Sequence, residues 1–125
     1  MGSKIIAISI VTLVLFQSTI IAPVANLILE KEQTALFLRL LWPIFFVLII
    51  ILSAICLILF RRQKVVFKKN ILSTGAMAVC IAVVPCINNA MDSGNLSLWK
   101  VLHLCTVALT IFTLVLQVQI IRHNT

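Results

Sequence analysis

Charged side chains make up only 10% of this 125-residue chain, and Asp and Glu together number three. So little polar surface cannot coat a soluble globule of this size. Hydrophobic residues at 62% and a mean hydropathy of +1.23 place the chain in lipid. None of the three carboxylates stands deep in an apolar stretch: Glu30 and Glu32 share one short polar segment, and Asp92 lies in another. No acid is therefore positioned to exchange protons across the membrane. Cysteine is also sparse. Cys56, Cys80, Cys86 and Cys105 contain no C-x-x-C pair and fall inside apolar stretches, where thiols read as small packing residues rather than a disulfide framework. Internal repeats and low-complexity tracts are absent too.

What is present is four apolar stretches. A spanning helix needs about 20 mostly apolar residues, and helices over about 5–29, 34–60, 70–91 and 97–121 use nearly the whole length. The expectation is one all-α membrane domain over residues 1–125, an up-down-up-down four-helix bundle with short turns. The first stretch imitates a signal peptide, but its apolar run continues to Leu29 with no A-x-A site, so a retained helix is expected, broken or kinked near Pro23. In the third, Ser73, Gly75, Ala76, Ala78, Cys80 and Ala82 are small enough to let neighbouring backbones approach. That helix is expected to be the most enclosed, and the Ile- and Leu-rich second helix to face lipid.

Basic residues are distributed unevenly. Arg61, Arg62, Lys64, Lys68 and Lys69 crowd the connection between the second and third helices, half of the ten Lys and Arg in the chain. Each would cost ~2.5 to 3.5 kcal/mol at a bilayer centre, so this connection is expected to stay cytoplasmic. Lys4 and Arg122 fall on the same side, while Lys31, Arg39 and Lys100 lie opposite. Both termini are thus expected in the cytoplasm of a plasma or inner membrane. The five clustered cations are expected to contact anionic lipid headgroups, each contributing ~1 kcal/mol. Although the net charge is +7, these cations flank apolar spans, so no nucleic-acid partner is expected.

At the opposite, outer end the topology gathers Asn26, Arg39, Asn88, Asn89, Asp92, Lys100 and His103. Asn88 and Asp92 are four apart on one helix face. A carboxylate, an imidazole and amides at one corner could bind a polar headgroup, a proton or a metal; alternatively they snorkel and cap for structural reasons alone. Cys86, His103, Cys105, Met77 and Met91 are residue types that soft metals select, yet His103 and Cys105 stand about 200° apart around a helix and cannot share an ion. His123 lies too far from His103 to be its partner at a haem. No cofactor and no metal is expected. Gln17, Gln117 and Gln119 are expected to hydrogen-bond neighbouring helices, and Gln17 stands in the helix where a small multidrug exporter would carry its Glu.

Three stretches together carry a resemblance: Ala22-Pro23; Ala35 to Phe46, containing Arg39 and Trp42-Pro43; and Pro85-Cys86-Ile87-Asn88-Asn89-Ala90-Met91-Asp92 followed by Trp99-Lys100-Val101-Leu102-His103. In these the chain resembles the transmembrane protein 205-like family called domain of unknown function 4149, with Trp99 in place of the commoner Phe and Thr106 near the usual Ser. The resemblance implies a four-helix membrane fold and adds weight to the corner at Pro23, Pro43, Asn88, Asp92 and His103. It brings no established chemistry. The anthrone-oxygenase-like family shares features at Pro85 and Asn88-Asn89, but its Trp and Asn-Arg pattern is missing from the last helix.

The functional expectation is a small polytopic membrane protein, more an accessory subunit or envelope helper acting through helix contacts than an enzyme. A homo-oligomer or larger membrane complex is expected. The alternatives are a transporter or binder of a small polar ligand, lipid headgroup or metal at the outer corner, and a membrane oxidoreductase or oxygenase subunit using His103 and Asp92 as acid and base.

Overall fold

The computed structural model describes residues 1–123, and its four helices are α1 (Gly2–Ile28), α2 (Lys31–Leu59), α3 (Lys64–Asp92) and α4 (Leu96–His123). Each is long and apolar enough to cross a membrane. At 1.5 Å per residue they extend about 40 Å, the thickness of a bilayer with its headgroups. Among the described residues there is no strand. The helices form an antiparallel bundle in which α3 packs between α2 and α4, and α1 closes the ring against α4 and α2.

The connections are tighter than the sequence suggests. Only Leu29 and Glu30, both extended, separate α1 from α2, so Lys31, Glu32 and Gln33 belong to the first turn of α2 rather than to a polar loop. The buried Thr34 hydroxyl, within hydrogen-bond reach of the Ala25 and Leu29 carbonyls at 3.2 and 3.3 Å, ties that turn down. Similarly, the basic connection is a short turn over 60–63, and Lys64, Lys68 and Lys69 ride on the opening turns of α3. Between α3 and α4, Gly94 adopts φ +72°, which favours a residue without Cβ. The Asn95 amide donates to Ala90 O at 2.9 Å and Gly94 to Met91 O at 3.2 Å, the 6→1 and 5→2 bonds of a Schellman motif. Asn95 Oδ1 then accepts from Leu98 N–H at 3.2 Å and caps α4.

Pro23 does not break α1. Its missing N–H and bulky ring are accommodated one turn earlier, where Gln17–Ile21 widens into a π-helical turn before regular helix resumes at Ala22. The core sits nearer the basic end. Ile10 and Val14 from α1, Phe45, Phe46 and Ile49 from α2, and Ala76, Met77 and Cys80 from α3 form one buried cluster, with Ala7, Cys56, Val66 and Ile120 as a second.

One expectation about packing is corrected. Gly75, Ala78 and Ala82 point outward, and a Cβ built on Gly75 would meet nothing within 4 Å; only Ser73, Ala76 and Cys80 of that run face the bundle. The helical period of 3.6 forces this division, because a run of small residues this long must wrap onto both faces. Even so α3 is the most enclosed helix, as expected: it lies between α2 and α4 and carries seven buried residues, against six in each of the other three. The second helix does present much apolar surface, including Ile44, Val47, Leu48, Ile51, Ile55 and Ile58, yet Ile49 on its other face is fully buried.

Candidate functional site

The seven polar residues expected at one corner do not form one cluster. Arg39 near the start of α2 reaches Asp92 at the end of α3, with Nη2–Oδ1 at 2.5 Å. The two carry opposite charge at one end of adjacent antiparallel helices, a juxtaposition legible from topology alone. The Asp92 side chain is 61% exposed, so solvent screens the pair and it contributes about 1 kcal/mol or less. His103 stacks on Trp99, one turn earlier in α4, with ring centroids 5.0 Å apart and planes 6° from parallel. Thus Asp92 and His103 engage different partners. Asn26 donates to its own helix at Ala22 O, 2.8 Å away, and Asn26, Asn89 and Lys100 are exposed.

Arg39, Asn88 and His103 do converge, on a feature that sequence patterning does not disclose. A cavity of about 360 Å³ lies among all four helices on the corner side. At its polar end are Arg39, Asn88, Trp99 and His103; farther in come Trp42, Pro43 and Thr106; the deepest walls are Val14, Phe46, Thr110 and Leu114. Along α4 the lining runs from Trp99 to Leu114, about 22 Å of helix. Thr106 Oγ1 donates to His103 O and Thr110 Oγ1 to Thr106 O, both at 2.8 Å, so these hydroxyls are satisfied within α4. The walls are therefore overwhelmingly apolar, with donors concentrated at one end.

Below the cavity, toward the basic residues, Ile10, Ile49 and Met77 are fully buried and close the bundle. Beneath them lies a polar layer. Gln117 Nε2 donates to Ser73 Oγ at 2.9 Å and to Asn70 Oδ1 at 3.3 Å, while Asn70 Nδ2 donates to Val66 O at 2.9 Å and to Cys56 Sγ at 3.4 Å. This network joins α2, α3 and α4, and each of its side chains is at most 1% exposed. The expected role of Gln117 is thus observed. Gln119, by contrast, is exposed, and Gln17 is buried with no partner for its Nε2 among the described residues. Asn70 escaped sequence reasoning because the adjoining Lys68-Lys69 marked it as the edge of a loop, when it lies on the second turn of α3. Its spacing from Ser73 and Met77 was the available signal.

At the basic end Arg61, Arg62, Lys64 and Lys68 are exposed and Lys69 is half-buried. Lys64 and Lys68, four apart, share a face. The Phe60 ring packs over the start of α1, where a Cβ on Gly2 would come within 2.6 Å of it. Among the described residues no group of three or more His, Cys, Asp or Glu is placed to hold a metal ion. Comparisons of this chain with protein-family models, with curated proteins and with solved structures yield no match.

Proposed function

We propose that this small polytopic membrane protein is a non-catalytic binder, in a transport or carrier role, of a ligand held in the cavity with a polar group at Arg39, Asn88 and His103. The cavity carries this reading. Its volume falls at the lower end of ordinary ligand pockets, and an apolar enclosure with a few donors at one end is the usual form of a small-molecule site. The seven-to-three division of Lys and Arg supports an orientation with both termini cytoplasmic and the cavity mouth outside. On the cytoplasmic side, Arg61, Arg62, Lys64, Lys68 and Lys69 serve as contacts for anionic headgroups. The resemblance to the domain of unknown function 4149 family rests on sequence motifs, and three residues of those motifs, Pro43, Asn88 and His103, line the cavity.

The test is native mass spectrometry of protein extracted in its own lipids. One amphiphilic species retained per protomer, and lost in Arg39→Ala and His103→Ala at unchanged yield of folded protein, is the expected result. Absence of any retained species sinks the reading. An accessory role through helix contacts keeps one observation in its favour, the broad apolar face of α2; a protein subunit copurifying in fixed ratio, with the cavity empty, would establish it instead. Orientation is checked separately by labelling Gln63→Cys in a variant without native cysteines. Reagent reaching it from outside intact cells would invert the assignment.

A further inference from the structure

Resting on the binding role just described, we infer that the ligand is a single-chain amphiphile that enters sideways from the bilayer through a gap between α1 and α4. Four residues define the gap. Leu15 and Ser18 on α1, and Val107 and Ile111 on α4, line the cavity and yet are exposed on the surface of the bundle. The exposure is substantial, 46% for Leu15, 41% for Val107 and 54% for Ile111. A side chain that borders an internal space and the exterior at once marks an opening: Met91 and His103 do so at the mouth, and these four do so at the side, on α1 and α4.

The backbone explains why the bundle parts there. Up to Phe16, α1 packs along both α4 and α2; the turn Gln17–Ile21 packs closely along neither, and Ala22–Ile28 packs against α2 with no comparable contact to α4. The change occurs at the π-helical turn imposed ahead of Pro23. Ser18 is about 15 Å along α1 from its end at Ile28, and Ile111 about 22 Å along α4 from Leu96. These depths are hydrocarbon, so a gap here opens onto acyl chains rather than water.

The chemistry of the lining then selects the ligand. The deep walls, Val14, Phe46 and Leu114, offer nothing to a polar solute. Near headgroup depth, Arg39 retains guanidinium donors beyond the one given to Asp92, and Asn88 adds an amide. This order, apolar inside and donors toward the surface, matches a lipid lying in its natural orientation with an acceptor-bearing head, a carboxylate or phosphate ester. A volume of about 360 Å³ at the small end of ligand pockets favours one chain over two.

Trp42 and Trp99 are the only tryptophans in the chain, and both line the cavity, so fluorescence reports on it directly. In the full-length Trp99→Phe protein in phosphatidylcholine nanodiscs, a fatty acid dibrominated at mid-chain should quench Trp42 in a saturable manner. A lysophospholipid brominated at the same carbons distinguishes a phosphate-bearing head from a carboxylate. Adding Ser18→Phe with Val107→Phe should remove most of that quenching; Ile111→Phe, at an exposed site, provides a second block should the pair fold poorly. Undiminished quenching in the blocked proteins would mean that lipid reaches Trp42 around the outside, overturning the gap. Quenching by acrylamide but by neither brominated probe would show a water-filled vestibule, overturning lateral entry while leaving the retained-ligand result intact. Loss of retained ligand in the mass spectra would instead remove the binding role itself.

Discussion

The two ends of this bundle differ in packing although the same four helices build both. Toward the basic residues, Ile10, Ile49 and Met77 are fully buried, and Asn70, Ser73 and Gln117 are joined by hydrogen bonds across α3 and α4. Toward Arg39 and His103 the helices enclose a cavity, and α1 leaves α4. All three prolines, Pro23, Pro43 and Pro85, lie in that looser half. Each removes a backbone donor and crowds the preceding turn, which makes a helix easier to bend. A tightly packed end joined to a cavity-bearing, proline-bearing end is what the proposed binding role would use, since opening motions draw on the less stable regions of a fold.

The comparison breaks most readily on matched truncations. Ile49→Ala should lower unfolding stability in mild detergent by ~2–4 kcal/mol through an unfilled cavity, whereas Ile111→Ala at the gap should change it by less than ~0.5 kcal/mol. Equal losses would mean that the two ends are packed alike. Next in size, Asn70→Leu should cost ~1–3 kcal/mol, because Gln117 loses an acceptor inside the bundle. Asn88→Leu, bordering the cavity, should leave the melting temperature nearly unchanged and weaken ligand retention; a large thermal shift would make it structural. Arg39→Ala should cost about 1 kcal/mol or less in stability, given the exposed partner Asp92, and should do its damage in ligand retention. The smallest effect expected is a gain. Gly75→Ala should stabilise by ~0.5–1 kcal/mol, since the site is open and glycine is a poor helix former; a loss would restore Gly75 to a close helix contact.

Several features are legible in the amino-acid sequence. Runs of about 20 apolar residues announce their helices, and Asp92-Ser93-Gly94-Asn95 announces its turn. The gathering of Arg39, Asp92, Asn88 and His103 at one end also follows from counting helices. Their division does not, because which of them share a space depends on rotation about each helix axis. Gly75 and Ala78 mislead for the same reason: in an almost wholly apolar helix, composition around the circumference hardly distinguishes the face toward lipid from the face toward protein. Asn70 was obscured by a related ambiguity, as flanking lysines look like a loop whether or not the helix continues through them.

The amino-acid order by itself therefore determined the number of spanning helices, their antiparallel succession and the concentration of basic charge at one end, because the cost of burying charge and backbone polar groups in lipid acts on each segment independently. Only the tertiary structure decided that Gln117 meets Asn70 and Ser73, that Asn88 and His103 line one cavity that Asp92 does not, and that Leu15, Ser18, Val107 and Ile111 border that cavity while exposed. Those outcomes depend on helix rotation and bend, which are set by side chains interlocking between segments and carry no signature within any one of them.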